Sequence, residues 1–172
     1  MIKSKKLEAL ANTDFIAPEQ AEYLEQCVEG KKNIIIAGHK GHGILILLSH
    51  LLTCIDLKAN KVKQVKNIPA DLEAEADYYV VGDIKEQEKD YGEILADLFS
   101  KKGAVLCLKD PDHNFSLMKI VRDVSKSTGD NTKEYVMVEC TKVDGEKKVV
   151  KATEIRISPE GRIAKEDIFN VK

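Results

Sequence analysis

The chain has 172 residues, of which 43% are hydrophobic and 33% charged, enough for one domain with a substantial core. A formal net charge of -2 gives no case for bulk nucleic-acid binding or for docking on an anionic membrane, and neither is expected. Cys27, Cys54, Cys107 and Cys140 are far apart, form no C-x-x-C pair and lie in apolar contexts, as buried free thiols of a cytosolic protein do.

Met1 to Lys6 is basic, but no apolar leader follows it, so a cytoplasmic location is expected. Pro18 to Glu29 is predicted as a helix. Pro18 suits its first turn, Glu19 and Glu22 its positive end and Gly30 its stop, with Ala21, Leu24 and Val28 as the buried stripe. Asn33 to Ala37 is short, apolar and rich in isoleucine, as a parallel strand buried on both faces should be. A helix follows from about Gly43 to Cys54. The apolar window from Ile44 to Leu57 carries Ser49, His50, Thr53 and Asp56 and is shorter than the ~20 residues of a membrane span, so it reads as a core helix with no membrane insertion. Residues 58–76 are polar, with a short strand near Lys61 to Lys66.

Asp77 to Asp83 is a second core strand ending in an acidic residue. Glu88 to Ser100 is an amphipathic helix, Gly103 to Leu108 a third core strand and Phe115 to Ser125 another helix. This alternation implies right-handed crossovers and an α/β layer. After Gly129 the pattern changes. Tyr135 to Val143 and Lys148 to Ile157 are long strands joined by the hairpin signal Asp144-Gly145, Ser158 to Gly161 is a further turn, and Arg162 to Val171 adds a short strand. The expected organisation is one domain, 1–172, with N-terminal helices (1–30), an α/β core (31–128) and a β meander continuing the sheet (129–172).

The segment joining the first strand to its helix, Gly38-His39-Lys40-Gly41-His42-Gly43, has the layout of a phosphate-binding loop. Gly38 and Gly43 occupy the two glycine positions of G-x-x-x-x-G-K-S/T. The next two residues, which should be Lys and Ser/Thr, are Ile44 and Leu45. The lysine would reach the β- and γ-phosphates and the hydroxyl would hold Mg²⁺. The backbone of a nucleotide site is kept and its two chemical side chains are lost.

In the order of these segments, the chain resembles the type II/type IV secretion and Flp-pilus assembly ATPases, over their C-terminal RecA-like domain. Phe15 to Ala21 with Leu24-Glu25 is similar to the helix before their first core strand, and Asn33 to Gly38 to the strand entering Walker A. Tyr79-Val80-Val81-Gly82-Asp83-Ile84-Lys85 resembles their Walker B segment. Val149 to Ile157, Gly161-Arg162-Ile163 and Glu166-Asp167-Ile168-Phe169 resemble the closing hairpin and "-DIF-" ending of the Flp-pilus branch. The resemblance implies a P-loop RecA-like three-layer α/β sandwich with a C-terminal antiparallel β extension. It also implies ATP or ADP with Mg²⁺ as cofactor, and hexamers with nucleotide between subunits. Four departures point away from hydrolysis: Ile44 and Leu45 in Walker A, Asp83 for the Walker B glutamate, Lys109 where the histidine box ends, and only about 56–76 where an acidic box and an arginine run belong. Met1 fits an intact start, and the family's N-terminal domain is then missing.

For the loop, a tight turn kept for packing is favoured over residual anion binding, which backbone N–H groups at a helix start still allow. Lys40 offers charge within the loop. His39, His42 and His50 lack a cysteine or carboxylate at metal-ligand spacing, so they read as solvent-facing and no metal site is expected. Asp83 stands equally as a holder of Mg²⁺-bound water and as a helix N-cap, and Asn114 explains the Lys109 to Asn114 loop as an N-cap. The expected function is a non-hydrolysing secretion-ATPase relative acting as structural or regulatory partner of a secretion motor, paired with an active paralogue or itself. Ile44 and Leu45 are expected to tuck into the core and lock the loop shut. The alternatives are a nucleotide or anion sensor, and a weak ATPase completed in trans by a neighbour's lysine or arginine.

Overall fold

The computed structural model describes residues 1–82, 84, 90–113 and 115–171. Two short helices lead in, α1 (Lys5–Ala11) and α2 (Pro18–Glu29), followed by strand β1 (Asn33–Ala37) and helix α3 (Ile44–Leu52). Strand β2 (Val62–Gln64), a 3₁₀ turn (Ala70–Glu73), β3 (Tyr78–Val81), α4 (Tyr91–Phe99), β4 (Ala104–Lys109) and α5 (Leu117–Thr128) continue the chain. It closes with β5 (Tyr135–Val143), β6 (Glu146–Ile157) and β7 (Ile163–Asn170).

All seven strands form one sheet in the order β2-β3-β4-β1-β5-β6-β7. The first five are parallel, and β6 and β7 return antiparallel at one edge. The central strand explains the layers. Ile34 and Ile36 point into one core with Leu24, Val28, Leu47 and Leu51, from α2 and α3. Ile35 points the other way, into a core with Leu95, Leu98, Val121 and Val124 from α4 and α5. Strand side chains alternate between faces, so an unbroken apolar run is stable only where helices cover both sides. Each such side chain, fully buried, contributes about 1.5–3 kcal/mol. β3 and β4 repeat the device: Tyr78, Val80, Leu106 and Leu108 face the first core, Tyr79, Val81, Val105 and Cys107 the second.

Polar bonds fix the register of these layers. The buried Asn33 carboxamide oxygen accepts the Val105 N–H at 2.9 Å, joining β1 to β4 at their starts. The Tyr78 hydroxyl donates to the Val28 carbonyl at 2.7 Å. Glu25, nearly fully buried, accepts the backbone N–H groups of Lys3 and Ser4 at 2.7 and 2.8 Å and ties the N-terminus to α2. The β5–β6 hairpin turns through Asp144 (φ 52°) and Gly145 (φ 81°), the paired left-handed geometry of a tight two-residue hairpin.

Several boundaries differ from expectation. α3 stops at Leu52, two residues before Cys54, and β2 keeps three residues of the expected 61–66. α5 starts later and runs further than 115–125, from Ser116 as N-cap, whose hydroxyl accepts the Lys119 N–H, to a left-handed Gly129. Asn114, expected as that cap, lies outside the described residues, as do Glu88 and Asp83. Cys27, Cys107 and Cys140 are buried free thiols, and Cys54 is only partly covered.

On the first face of the C-terminal strands, Glu154 accepts hydrogen bonds from the Tyr23 hydroxyl (2.8 Å), Lys32 (3.1 Å) and Arg156 (3.0 Å). Burial alone would raise its pKa, but these donors outweigh burial and hold it below the usual carboxylate value of 4.5. A depressed carboxylate contributes stability that is complete above its unfolded pKa and is lost as pH falls through the lower folded one. Glu154→Gln is therefore expected to lower the urea midpoint at neutral pH, by about 1–3 kcal/mol in unfolding free energy. That deficit should shrink as pH drops below 4.5.

Candidate functional site

The Gly38–Gly43 loop leaves the C-terminal end of the central strand, where parallel α/β sheets place their ligands. Its glycines are demanded by space and by conformation. A Cβ on Gly38 would lie 2.6 Å from the Cys140 carbonyl oxygen and 2.9 Å from Ile44 Cγ2. Gly43, the N-cap of α3, has φ 98°, and a Cβ there would lie 2.5 Å from the Phe15 ring. Phe15 is held in turn by its carbonyl, which accepts the Val149 N–H of β6 at 2.8 Å. The chain ahead of α2 and the C-terminal hairpin together wall the loop.

Ile44 behaves as expected and is 4% exposed, packed in the first core. Leu45 does not. It is 60% exposed, so it does not lock the loop into the core. The cause is helical geometry: successive residues lie about 100° apart around a helix, and the side of α3 that takes Ile44, Leu47, Leu48 and Leu51 inward turns Leu45 outward. There it borders a cavity of about 330 Å³ lined by Lys40, Gly41, Gly43, Ile44, Ile46, Gly82, Leu108, Asp110, His113 and Lys147. Most of this lining is hydrocarbon.

The cavity assembles residues that sequence spacing did not connect. Lys147 arrives from β6, with its Cβ 3.6 Å from where a Gly43 Cβ would be. Its direct cross-strand neighbour is Lys142. Asp110 and His113 arrive from the turn after β4, one and four residues beyond the Lys109 at which the expected histidine box ends. The Asp110 N–H donates to His113 Nδ1 at 3.1 Å, so a neutral imidazole carries its proton on Nε2. Asp110 Oδ1 accepts the Asp112 N–H at 2.8 Å. The His113 ring packs against Tyr91 with centroids 4.1 Å apart, and the Tyr91 hydroxyl donates to the Leu108 carbonyl. A strand ending shortly before a histidine was a signal available in the sequence for His113; nothing local announced Lys147.

His39 is exposed, but His42 is partly covered, and its Nδ1 is buried without a hydrogen-bond partner among the described residues. The two rings lie 5.1 Å apart. Burial of the ring first, then the positive charge of His39, Lys142 and Lys147, push the His42 pKa below the ordinary 6.5. Among the described residues no three histidine, cysteine, aspartate or glutamate side chains converge as metal ligands. No helix among them is long and apolar enough to cross a membrane. Asp83, the expected Walker B-like carboxylate, lies outside the described residues.

The fit to Mg²⁺-nucleotide is divided. The glycine loop and the start of α3 offer backbone N–H groups to a phosphate. The side chains after Gly43 offer hydrocarbon where a lysine and a magnesium-binding hydroxyl belong. No protein-family model matches the chain, and no curated protein matches it. Among solved structures, the VirB11 ATPase from the Brucella suis type IV secretion system, in complex with sulphate, is similar with a TM-score of 0.53 and 13% identity. That match covers 88% of this chain but 57% of the VirB11 chain, so the present chain spans little more than half its length. The flagellar accessory protein FlaH from Methanocaldococcus jannaschii matches with a TM-score of 0.42 and 13% identity, over 79% of this chain and 89% of that one. The VirB11 likeness is one of fold, and with the sheet order it makes this a RecA-like P-loop architecture with an antiparallel C-terminal extension.

Two outcomes follow. Gly43→Val places a β-branched side chain at a left-handed φ and against Phe15, and should lower the melting temperature, the backbone contribution alone being roughly 1–3 kcal/mol. Lys147→Glu exchanges a cation for an anion near His42 and should raise the His42 titration midpoint followed by proton NMR of the imidazole.

Proposed function

We propose that the chain is a non-hydrolysing RecA-like relative of the secretion ATPases, acting as a structural or regulatory partner of a secretion or pilus motor, with an active paralogue or a second copy as its neighbour. The observation that carries this reading is the fate of the two positions after Gly43: Ile44 is sunk in the core and Leu45 lies at the cavity mouth. A charge-assisted bond of the kind the missing lysine makes is worth roughly 1.5–3 kcal/mol. Its loss weakens phosphate binding by about one to two orders of magnitude. Leu45 puts hydrocarbon where the hydroxyl that holds Mg²⁺ would stand, which removes a reason for the metal to stay. The loop meanwhile keeps the demanding glycines that wedge α3 against Phe15. In this reading the cytoplasmic chain is one folded unit, and its loop is a brace.

A second reading has specific support. Among the described residues His42 Nδ1 is buried and unpartnered, in a loop whose backbone suits anions and with Lys147 at the cavity edge. A nucleotide or phosphate sensor, with His39, Lys40 and His42 in the loop around the anion, would use these groups without hydrolysis. Completion of a weak ATPase in trans by a neighbour's cation belongs to the same site.

Calorimetric titration with Mg-ATP separates them. The partner reading expects no heat and no thermal shift at millimolar ATP. Micromolar binding lost in Gly43→Val favours the sensor. Robust Mg²⁺-dependent turnover by the chain alone, abolished in Asp83→Ala, overturns the non-hydrolysing reading.

A further inference from the structure

Seven of the nine residues of α3 are isoleucine or leucine. A helix that is apolar all round is one covered all round. The core takes Ile44, Leu47, Leu48 and Leu51, yet Leu45 stands 60% exposed on the outer side. Two hollows flank it. One is the 330 Å³ cavity running toward Leu108. The other, of about 220 Å³, is floored by Leu48, Leu52, Val65 and Val80 and shares Leu45 and Gly82 as walls. Single exposed leucines are ordinary, but a leucine ridge between two apolar hollows is a contiguous patch, and such patches mark interaction sites.

Charge defines what covers it. Lys147 lines the first hollow, and Lys142 lies directly opposite it across the β5–β6 ladder. Among the described residues neither makes an ion pair. Like charges directly opposite in a ladder repel. An anionic neighbour relieves that repulsion.

We propose that this surface docks a protein segment that inserts one apolar side chain into each hollow, astride Leu45, and sets carboxylates against Lys142 and Lys147. The inference rests on the reading that the chain works through a protein partner, and it gives that partner's binding chemistry. Paired hollows separated by a single side chain match successive anchors of an acidic amphipathic segment. The mostly hydrocarbon lining suits these anchors better than the polyphosphate of a nucleotide.

The test is selection of phage-displayed random dodecapeptides on the immobilised full chain, with the selected peptides synthesised and titrated. The expected peptides carry two large apolar residues with flanking Asp or Glu. Their affinity should fall about tenfold or more on Leu45→Asp. It should also fall on Lys147→Glu, recover when the peptide's acids are exchanged for lysine, and weaken as salt rises. Leu45 and Lys147 are exposed, so neither variant should melt below the parent, and Lys147→Glu should melt slightly above it because it removes the repulsion from Lys142. No selected binder, peptides without acidic bias, or binding indifferent to both substitutions would overturn the proposal. A concentration-dependent dimer of the chain abolished by Leu45→Asp would overturn it in favour of a second copy. ATP turnover measured in parallel reports on the non-hydrolysing reading alone, because peptide binding is scored without nucleotide.

Discussion

Everything in this molecule is arranged around the demand that Ile34, Ile35 and Ile36 be dry at once. Three consecutive apolar side chains on an extended backbone face alternately in opposite directions, so covering them takes a layer on each side of the sheet. α2 and α3 supply one layer, and α4 and α5 the other. Parallel neighbours β4 and β5 follow because the crossovers that bring those helices onto the faces return the chain in the same direction. The loop at the end of β1 then emerges at the C-terminal edge with no freedom to be elsewhere.

That placement separates two properties usually joined in a phosphate-binding loop. Its backbone shape is maintained by sterics: Cys140 and Ile44 crowd Gly38, and Phe15 crowds Gly43. Its chemistry depends on the side chains that follow, and of these Ile44 is packed in the core while Leu45 is exposed hydrocarbon. The glycines are therefore under structural constraint whatever side chains follow them. The polar groups that line the cavity beside it, Lys40, Asp110, His113 and Lys147, come from three separate parts of the chain and surround hydrocarbon.

Much of the fold was legible because it rests on local chemistry. Isoleucine runs announced β1, Pro18 and Gly30 bracketed α2, and Asp144-Gly145 fixed the hairpin, all within a few residues of the feature they determine. Leu45 was misjudged because an apolar residue at a helix start reads as core until the neighbouring elements reveal which side of the helix is inward. Lys147 and His113 were missed for a related reason. A cavity is a property of surfaces brought together from distant parts of the chain, and no spacing rule joins position 43 to position 147. The end of α5 was misplaced because Lys126 to Thr128 carry no apolar residue to extend the stripe, and the left-handed Gly129 decides the stop.

The bond from Val149 to the Phe15 carbonyl has a bearing on how the chain comes to be folded. In vectorial synthesis Phe15, β1 and the glycine loop leave the ribosome early, while β6 is made near the end. Until then the wall behind Gly43 lacks its backbone anchor. The nascent loop is thus a late-maturing feature despite its early position. A chain halted ahead of β6 would display an unbraced, leucine-rich helix to whatever chaperone surveys the emerging polypeptide.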